Sequence, residues 1–151
     1  MDVNLINPFI DTFIYIMETT SSMNYRLQRP HLNKSCESEG PISGLIDISG
    51  DISGFISVTF SREAILKMVS NMFGEEMTEI NDDVKDAVGE FVNMVCGQAN
   101  NKFAQNGKNI KVEGKGIKDG EKHQLNSADK RPLITIPMKS DFGMAYLNVS
   151  F

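Results

Sequence analysis

Apolar residues recur along this chain with two periods, and the switches between them mark the elements. Phe9, Phe13, Ile16 and Met17 fall three or four residues apart, the spacing of one helical face. Asn7 reads as the cap of that helix and Pro8 as its first residue, where a missing N–H does no harm. The helix fades across Thr19, Thr20, Ser21 and Ser22, and a polar, extended stretch follows to about Lys34. Period two takes over at residues 42–48 and 55–60, a pair of strands around the hairpin turn Ser49-Gly50-Asp51. Ser61 caps a second helix whose apolar side is Ala64, Ile65, Met68, Val69 and Met72, and Gly74 stops it. Asn81-Asp82-Asp83 opens a third helix, with carboxylates where the helix dipole favours them. It runs to about Gln105 and ends at Asn106-Gly107. Residues 110–117 read as a strand, 118–131 as a polar mobile loop, and 133–138 with 144–151 as a closing hairpin.

The two hairpins resemble each other. Leu45-Ile46-Asp47-Ile48 matches Leu133-Ile134-Thr135-Ile136, and Phe55-Ile56-Ser57-Val58-Thr59-Phe60 matches Tyr146-Leu147-Asn148-Val149-Ser150-Phe151. Each follows a helix and a candidate strand, which points to an internal duplication of a helix–strand–hairpin unit. The fold class that follows is α+β, a two-layer sandwich with a mostly antiparallel sheet packed by helices, in one domain over residues 1–151.

Composition narrows the chemistry. A net charge of −5 leaves nothing basic enough to displace counterions from nucleic acid or an anionic membrane, so neither is expected as a partner. Cys36 and Cys96 are far apart and form no CxxC, and His31 and His123 stand alone in polar stretches, so no resident metal or cofactor is expected. The apolar run from Leu5 to Met17 is broken by Pro8 and Asp11 and has no Lys or Arg ahead of it, unlike a signal peptide. The expectation is a cytoplasmic protein.

The third helix is the informative segment. Val84, Val88, Phe91, Val95 and Ala99 share one face, with Ala87 and Val92 at its margins, and that face is core. Opposite it, Asp83, Asp86, Glu90, Asn93, Gly97 and Asn100 recur at steps of three and four and form a polar ridge, with Met94 and Asn101 at its edge. An ordinary solvated face alternates charge signs, yet no Lys or Arg occurs between Asp86 and Asn101. Gly97 costs the helix about 1 kcal/mol relative to Ala, which makes sense where a partner must come close. Met94 is an adaptable apolar residue of the kind useful at an interface. The ridge therefore reads as a docking surface for a positively charged partner, with Asp86, Met94, Gly97 and Asn100 as its contact residues.

Asp86-x-x-x-Glu90-x-x-Asn93 resembles the signature helix of the CheC/CheX/FliY phosphatases of bacterial chemotaxis. Ile6-Asn7-Pro8-Phe9, the hairpin from Ser43-Gly44-Leu45-Ile46 to Ser49-Gly50-Asp51, and Met72-Phe73-Gly74-Glu75-Glu76 resemble that family too, in family order. The resemblance covers nearly the whole chain, least clearly residues 24–40 and 111–131. It implies the CheC-like fold and a substrate, the phosphoaspartate of the response regulator CheY, which brings its own Mg²⁺ and lysine. What the regulator lacks is a group that places water in line with phosphorus, and phosphoryl transfer depends on such positioning. The resemblance gives that role to the Asn93 carboxamide, whose oxygen accepts and whose NH₂ donates. It pairs Glu90 with the regulator's lysine and gives Asp86 an orienting role. Glu90 and Asn93 are thus the expected catalytic pair. Glu18 and every other Glu lack an Asn three residues on, so the chain resembles the single-site CheX branch. That branch implies a homodimer built by joining sheets, with the C-terminal strand ending at Phe151 as a candidate edge. The alternative is a non-catalytic relative that binds a receiver domain or flagellar component; a small-molecule-binding domain is a third reading without a pocket motif to support it.

Overall fold

The computed structural model describes residues 3–125 and 133–150. Three helices, α1 (Val3–Ser21), α2 (Arg62–Phe73) and α3 (Asp82–Gln105), pack on one seven-stranded sheet. Its strands are β1 (Arg26–Leu27), β2 (His31–Asn33), β3 (Ile42–Gly50), β4 (Gly54–Phe60), β5 (Ile110–Asp119), β6 (Leu133–Ser140) and β7 (Gly143–Ser150). They lie in the order β1-β6-β7-β4-β3-β5, with β2 also on β6, and every pairing is antiparallel. One sheet face carries Ile42, Ile46, Ile56, Val58, Phe60, Ala145, Leu147 and Val149, all buried in a continuous core with Phe9, Phe13, Val88 and Phe91 from the helices. Among the described residues no helix is long and apolar enough to cross a membrane.

The duplication is visible in the register. The two hairpins meet along β4 and β7, and Ser57 pairs with Asn148, its own counterpart in the repeat. Pairs step outward symmetrically from there: Ile56 with Val149, Val58 with Leu147. A two-fold relation between hairpins requires this palindromic pattern, so its axis passes at Ser57 and Asn148. The lone strands obey the same symmetry by exchange. β5, which follows the second helix of the repeat, pairs with the first hairpin, while β1 and β2, which follow the first, pair with the second.

Several local expectations are corrected. The first helix begins at Val3, so Asn7 is not its cap and Pro8 lies inside it. Starting earlier buries Leu5 and Ile6, worth roughly 1.5–3 kcal/mol each, which offsets the ~3 kcal/mol penalty of an interior proline. The stretch after that helix is not merely extended, because β6 recruits residues 26–27 and 31–33 as strands. The C-terminal strand is not an edge: β7 lies between β6 and β4, and Phe151 falls outside the described residues. The free edges are β5 on one side and β1 with β2 on the other.

The described start of the expected mobile loop is fastened to the sheet face that the helices leave uncovered. There Ser43, Ser57, Thr59, Thr135 and Asn148 are buried although polar. They bond to one another: Ser43 to Thr59 at 2.6 Å, Thr135 to Asn148 at 2.6 Å, and Asn148 to Ser57 at 3.0 Å. His123 joins them through Ser43 at 2.7 Å, and Leu125 packs with Cys36 and Leu133. Buried polar groups of this kind are tolerable because they are paired. Residues 126–131 of that loop lie outside the described residues.

Candidate functional site

Asn81 caps α3 with its side-chain oxygen accepting from the Val84 N–H at 3.0 Å, and Asp82 and Asp83 occupy the first turn. Val84, Ala87, Val88, Phe91, Val92, Val95 and Ala99 are buried, which fixes the helix's rotation about its axis. Gly44 lets α3 settle directly on β3, because a Cβ there would strike the Val92 side chain. The opposite face of α3 looks into solvent.

The helix then runs antiparallel along β5, tied to it at both ends. Lys85 Nζ lies 2.8 Å from Asp119 Oδ2 near the start of the helix. This contact holds the Asp119 carboxyl below its ordinary range and raises the Lys85 ammonium above its own. Near the other end, the Asn100 carboxamide donates to the Val112 C=O at 2.9 Å and accepts from the Val112 N–H at 2.8 Å. Asn100 thus acts as a short neighbouring strand, closing the edge of β5 at that residue. The polar atoms of Asn100, one of the expected docking residues, thus already have intramolecular partners.

Between these ties lies the ridge. Asp86, Glu90, Asn93 and Gly97 are all exposed and span about 60° of the helix circumference. Glu90 and Asn93, less than one turn apart, engage no described residue through a hydrogen bond or ion pair. Met94 is half-buried, packing against the core from the ridge's edge. Gly97 meets no described residue within 4 Å of where a Cβ would lie, so packing among the described residues does not require a glycine there. Cys96, on the flank, is buried, and burial followed by the Glu113 carboxylate pushes its thiol up to about 11, which keeps it unreactive.

Across from Asn93 stands Gly114 of β5. A Cβ on Gly114 would sit 3.6 Å from Asn93 Oδ1 and 3.1 Å from Val92 Cγ1. Sequence reasoning missed this residue, although Gly114 and Gly116 inside a strand pattern are a signal of irregularity. A bulge does occur there: Gly44 faces Ile117 and Ile46 faces Gly114, so Lys115 and Gly116 both oppose Leu45.

The site is a ridge along the outward face of α3. An open groove of about 990 Å³ lies elsewhere, between α2 and the β6–β7 turn, lined by Leu66, Lys67, Met77 and Phe142 among others. No group of three or more His, Cys, Asp or Glu among the described residues could hold a metal ion.

The family model for the chemotaxis phosphatase CheX matches residues 42–139, which include the whole of α3. The chain belongs to the CheX family. The CheY-P phosphatase CheX of Thermotoga maritima is 25% identical over 128 residues, covering 84% of this chain and 83% of that protein. A CheC-like superfamily protein from Shewanella sp. PV-4 is 32% identical with a TM-score of 0.88, covering 99% of this chain and 97% of that one. Chemotaxis protein CheX from Vibrio vulnificus is 29% identical with a TM-score of 0.84, covering 97% of each chain. The fold is also that of CheX in a CheX–CheY–BeF₃–Mg²⁺ complex from Borrelia burgdorferi, at 16% identity and a TM-score of 0.72. The α+β sandwich with helices against a mostly antiparallel sheet is therefore the CheC-like architecture.

Proposed function

We propose that this chain accelerates hydrolysis of the phosphoaspartate of a CheY-type response regulator, with Asn93 aligning the attacking water and Glu90 pairing with the regulator's lysine. The observation that carries the reading is the pair itself: an amide and a carboxylate that bond to no described residue, exposed together on a helix tied at both ends. Membership of the CheX family supports the substrate class.

In the complex the ridge of α3 enters the receiver's phosphorylation site. The receiver supplies the Mg²⁺ and the lysine that neutralise the phosphoryl oxygens; this chain supplies orientation. The Asn93 carboxamide oxygen accepts from the water, and its NH₂ donates to a phosphoryl oxygen. The water oxygen then bonds to phosphorus, the bond from phosphorus to the receiver's aspartyl oxygen breaks, and inorganic phosphate leaves. Asn93 takes no proton, since an amide is no base at neutral pH; its work is alignment. Glu90 holds the receiver's lysine in register, and Asp86, Met94 and Gly97 form the surrounding contact surface. A gain of about 100-fold needs ~2.7 kcal/mol of transition-state stabilisation, within reach of one oriented amide.

The proposal includes a homodimer, at an edge other than the one expected. Asn100 closes β5 at Val112, whereas the β1–β2 side exposes Leu27 and Leu32. A second copy would therefore join along β1 and β2. A cytoplasmic location follows from the proposed substrate. The test is single-turnover loss of phosphoryl from phosphorylated CheY with and without the protein. Accelerated release is expected. Tight binding without acceleration would instead support a non-catalytic receiver-binding module.

A further inference from the structure

Val112 and Gly114 occupy equivalent positions on β5, yet the protein treats them differently. In an antiparallel ladder, backbone groups of alternate residues turn toward the neighbour and away from it. Val112 turns its N–H and C=O away from β3, because both are taken by Asn100. Gly114, two residues on and still before the bulge, turns its own pair the same way. No described side chain bonds the Gly114 pair, and the residue is only half-buried. Beyond it the bulge at Lys115 and Gly116 ends the regular edge. The exposed edge of β5 is thus closed on one side of Gly114 and broken on the other. The open position lies beside the Asn93 carboxamide.

Glycine is what keeps that position open. A side chain at 114 would start 3.6 Å from Asn93 Oδ1 and extend over the carboxamide. On the helix itself, Asn93 is flanked one turn away on either side by Gly89 and Gly97, neither of which meets any atom within 4 Å of a notional Cβ. Internal packing asks for neither glycine. Asn93 stands in a notch whose walls are bare backbone on three sides.

We propose that Gly114 is a specificity-determining residue of the receiver site: the docked receiver lays a loop against β5 there, bonding the free Gly114 backbone groups while Asn93 reaches past it. This rests on the reading that α3 binds a receiver domain, and it adds β5 as the second wall of that interface. The receiver recognises the absence of a side chain together with one outward N–H and C=O.

Backbone amide exchange of the unmodified protein, followed by NMR with and without saturating beryllofluoride-activated CheY and Mg²⁺, tests this. The Gly114 amide should slow at least tenfold on complex formation, while the Val112 amide, already bonded to Asn100, should change far less. A saturated complex in which Gly114 exchange is unchanged overturns the inference and leaves the phosphatase reading standing. Failure to bind activated CheY at all overturns both. Gly114→Val should weaken receiver binding at least tenfold. Because its Cβ crowds Val92, the thermal midpoint is measured alongside. Unaltered affinity in a folded Gly114→Val protein would also overturn the inference.

Discussion

Asn93 and Asn100 lie seven residues apart on one face of α3, and the same substitution at each should give opposite profiles. The Asn93 side chain is exposed and bonds to no described residue, so truncation removes nothing the fold uses. Alanine exceeds asparagine in helix propensity by roughly 0.6 kcal/mol, and in a chain of this size each kcal/mol moves Tm by about 2–4 °C. Asn93→Ala should therefore keep its Tm or gain about 1–2 °C, while acceleration of CheY-P hydrolysis falls by about 100-fold, ~2.7 kcal/mol. Asn100 makes two hydrogen bonds to Val112, at 2.9 and 2.8 Å. At about 1 kcal/mol net for each bond, less the same propensity gain, Asn100→Ala should lose roughly 1.4 kcal/mol and about 3–6 °C. Thermal melts by circular dichroism and single-turnover phosphate release, run on both variants, decide the matter. Full acceleration in Asn93→Ala, or a Tm loss there as large as that of Asn100→Ala, would refute the reasoning.

Other outcomes follow from the same geometry. Glu90→Ala should weaken binding of activated CheY about tenfold and flatten its salt dependence, read by titration at two ionic strengths; affinity equal to wild type would count against the lysine pairing. Gly97→Leu adds bulk to an open ridge position, so it should raise Tm through helix propensity yet impair receiver binding, a divergence that calorimetry and binding titration together would detect. Asp119→Asn removes the partner of Lys85. The Asp119 carboxyl is depressed by that ammonium, so its stabilisation is present above the unfolded value near 4 and vanishes as pH falls through the lower folded one. Urea midpoints of wild type and Asp119→Asn should differ slightly at pH 7 and converge as pH falls through the lowered folded value. A difference that persists in acid would assign the effect to something other than the ion pair. Asn148→Ala leaves buried hydroxyls of Thr135 and Ser57 short of partners and should cost about 2–3 kcal/mol, measured by urea unfolding.

The helices, the two hairpins and the outward face of α3 were legible in the order of residues because each is a local property. Helical and strand periods, the caps Ser61 and Asn81, and the stop at Gly74 act within a few residues of themselves. The ridge carrying Glu90 and Asn93 follows from helical geometry alone once the apolar face of α3 is recognised. What needed tertiary structure was every feature that depends on a distant partner. Pro8 entered the helix because Leu5 and Ile6 had a core to join. Residues 26–27 and 31–33 became strands because β6 had a vacant edge, and the terminal strand became central because the two hairpins meet across a two-fold axis. Asn100 and Asn93 look alike in sequence, and only the approach of β5 makes one a structural tie and leaves the other free. Local periodicity selects which face of a helix is exposed, whereas long-range pairing selects which of the exposed groups remain available to a partner.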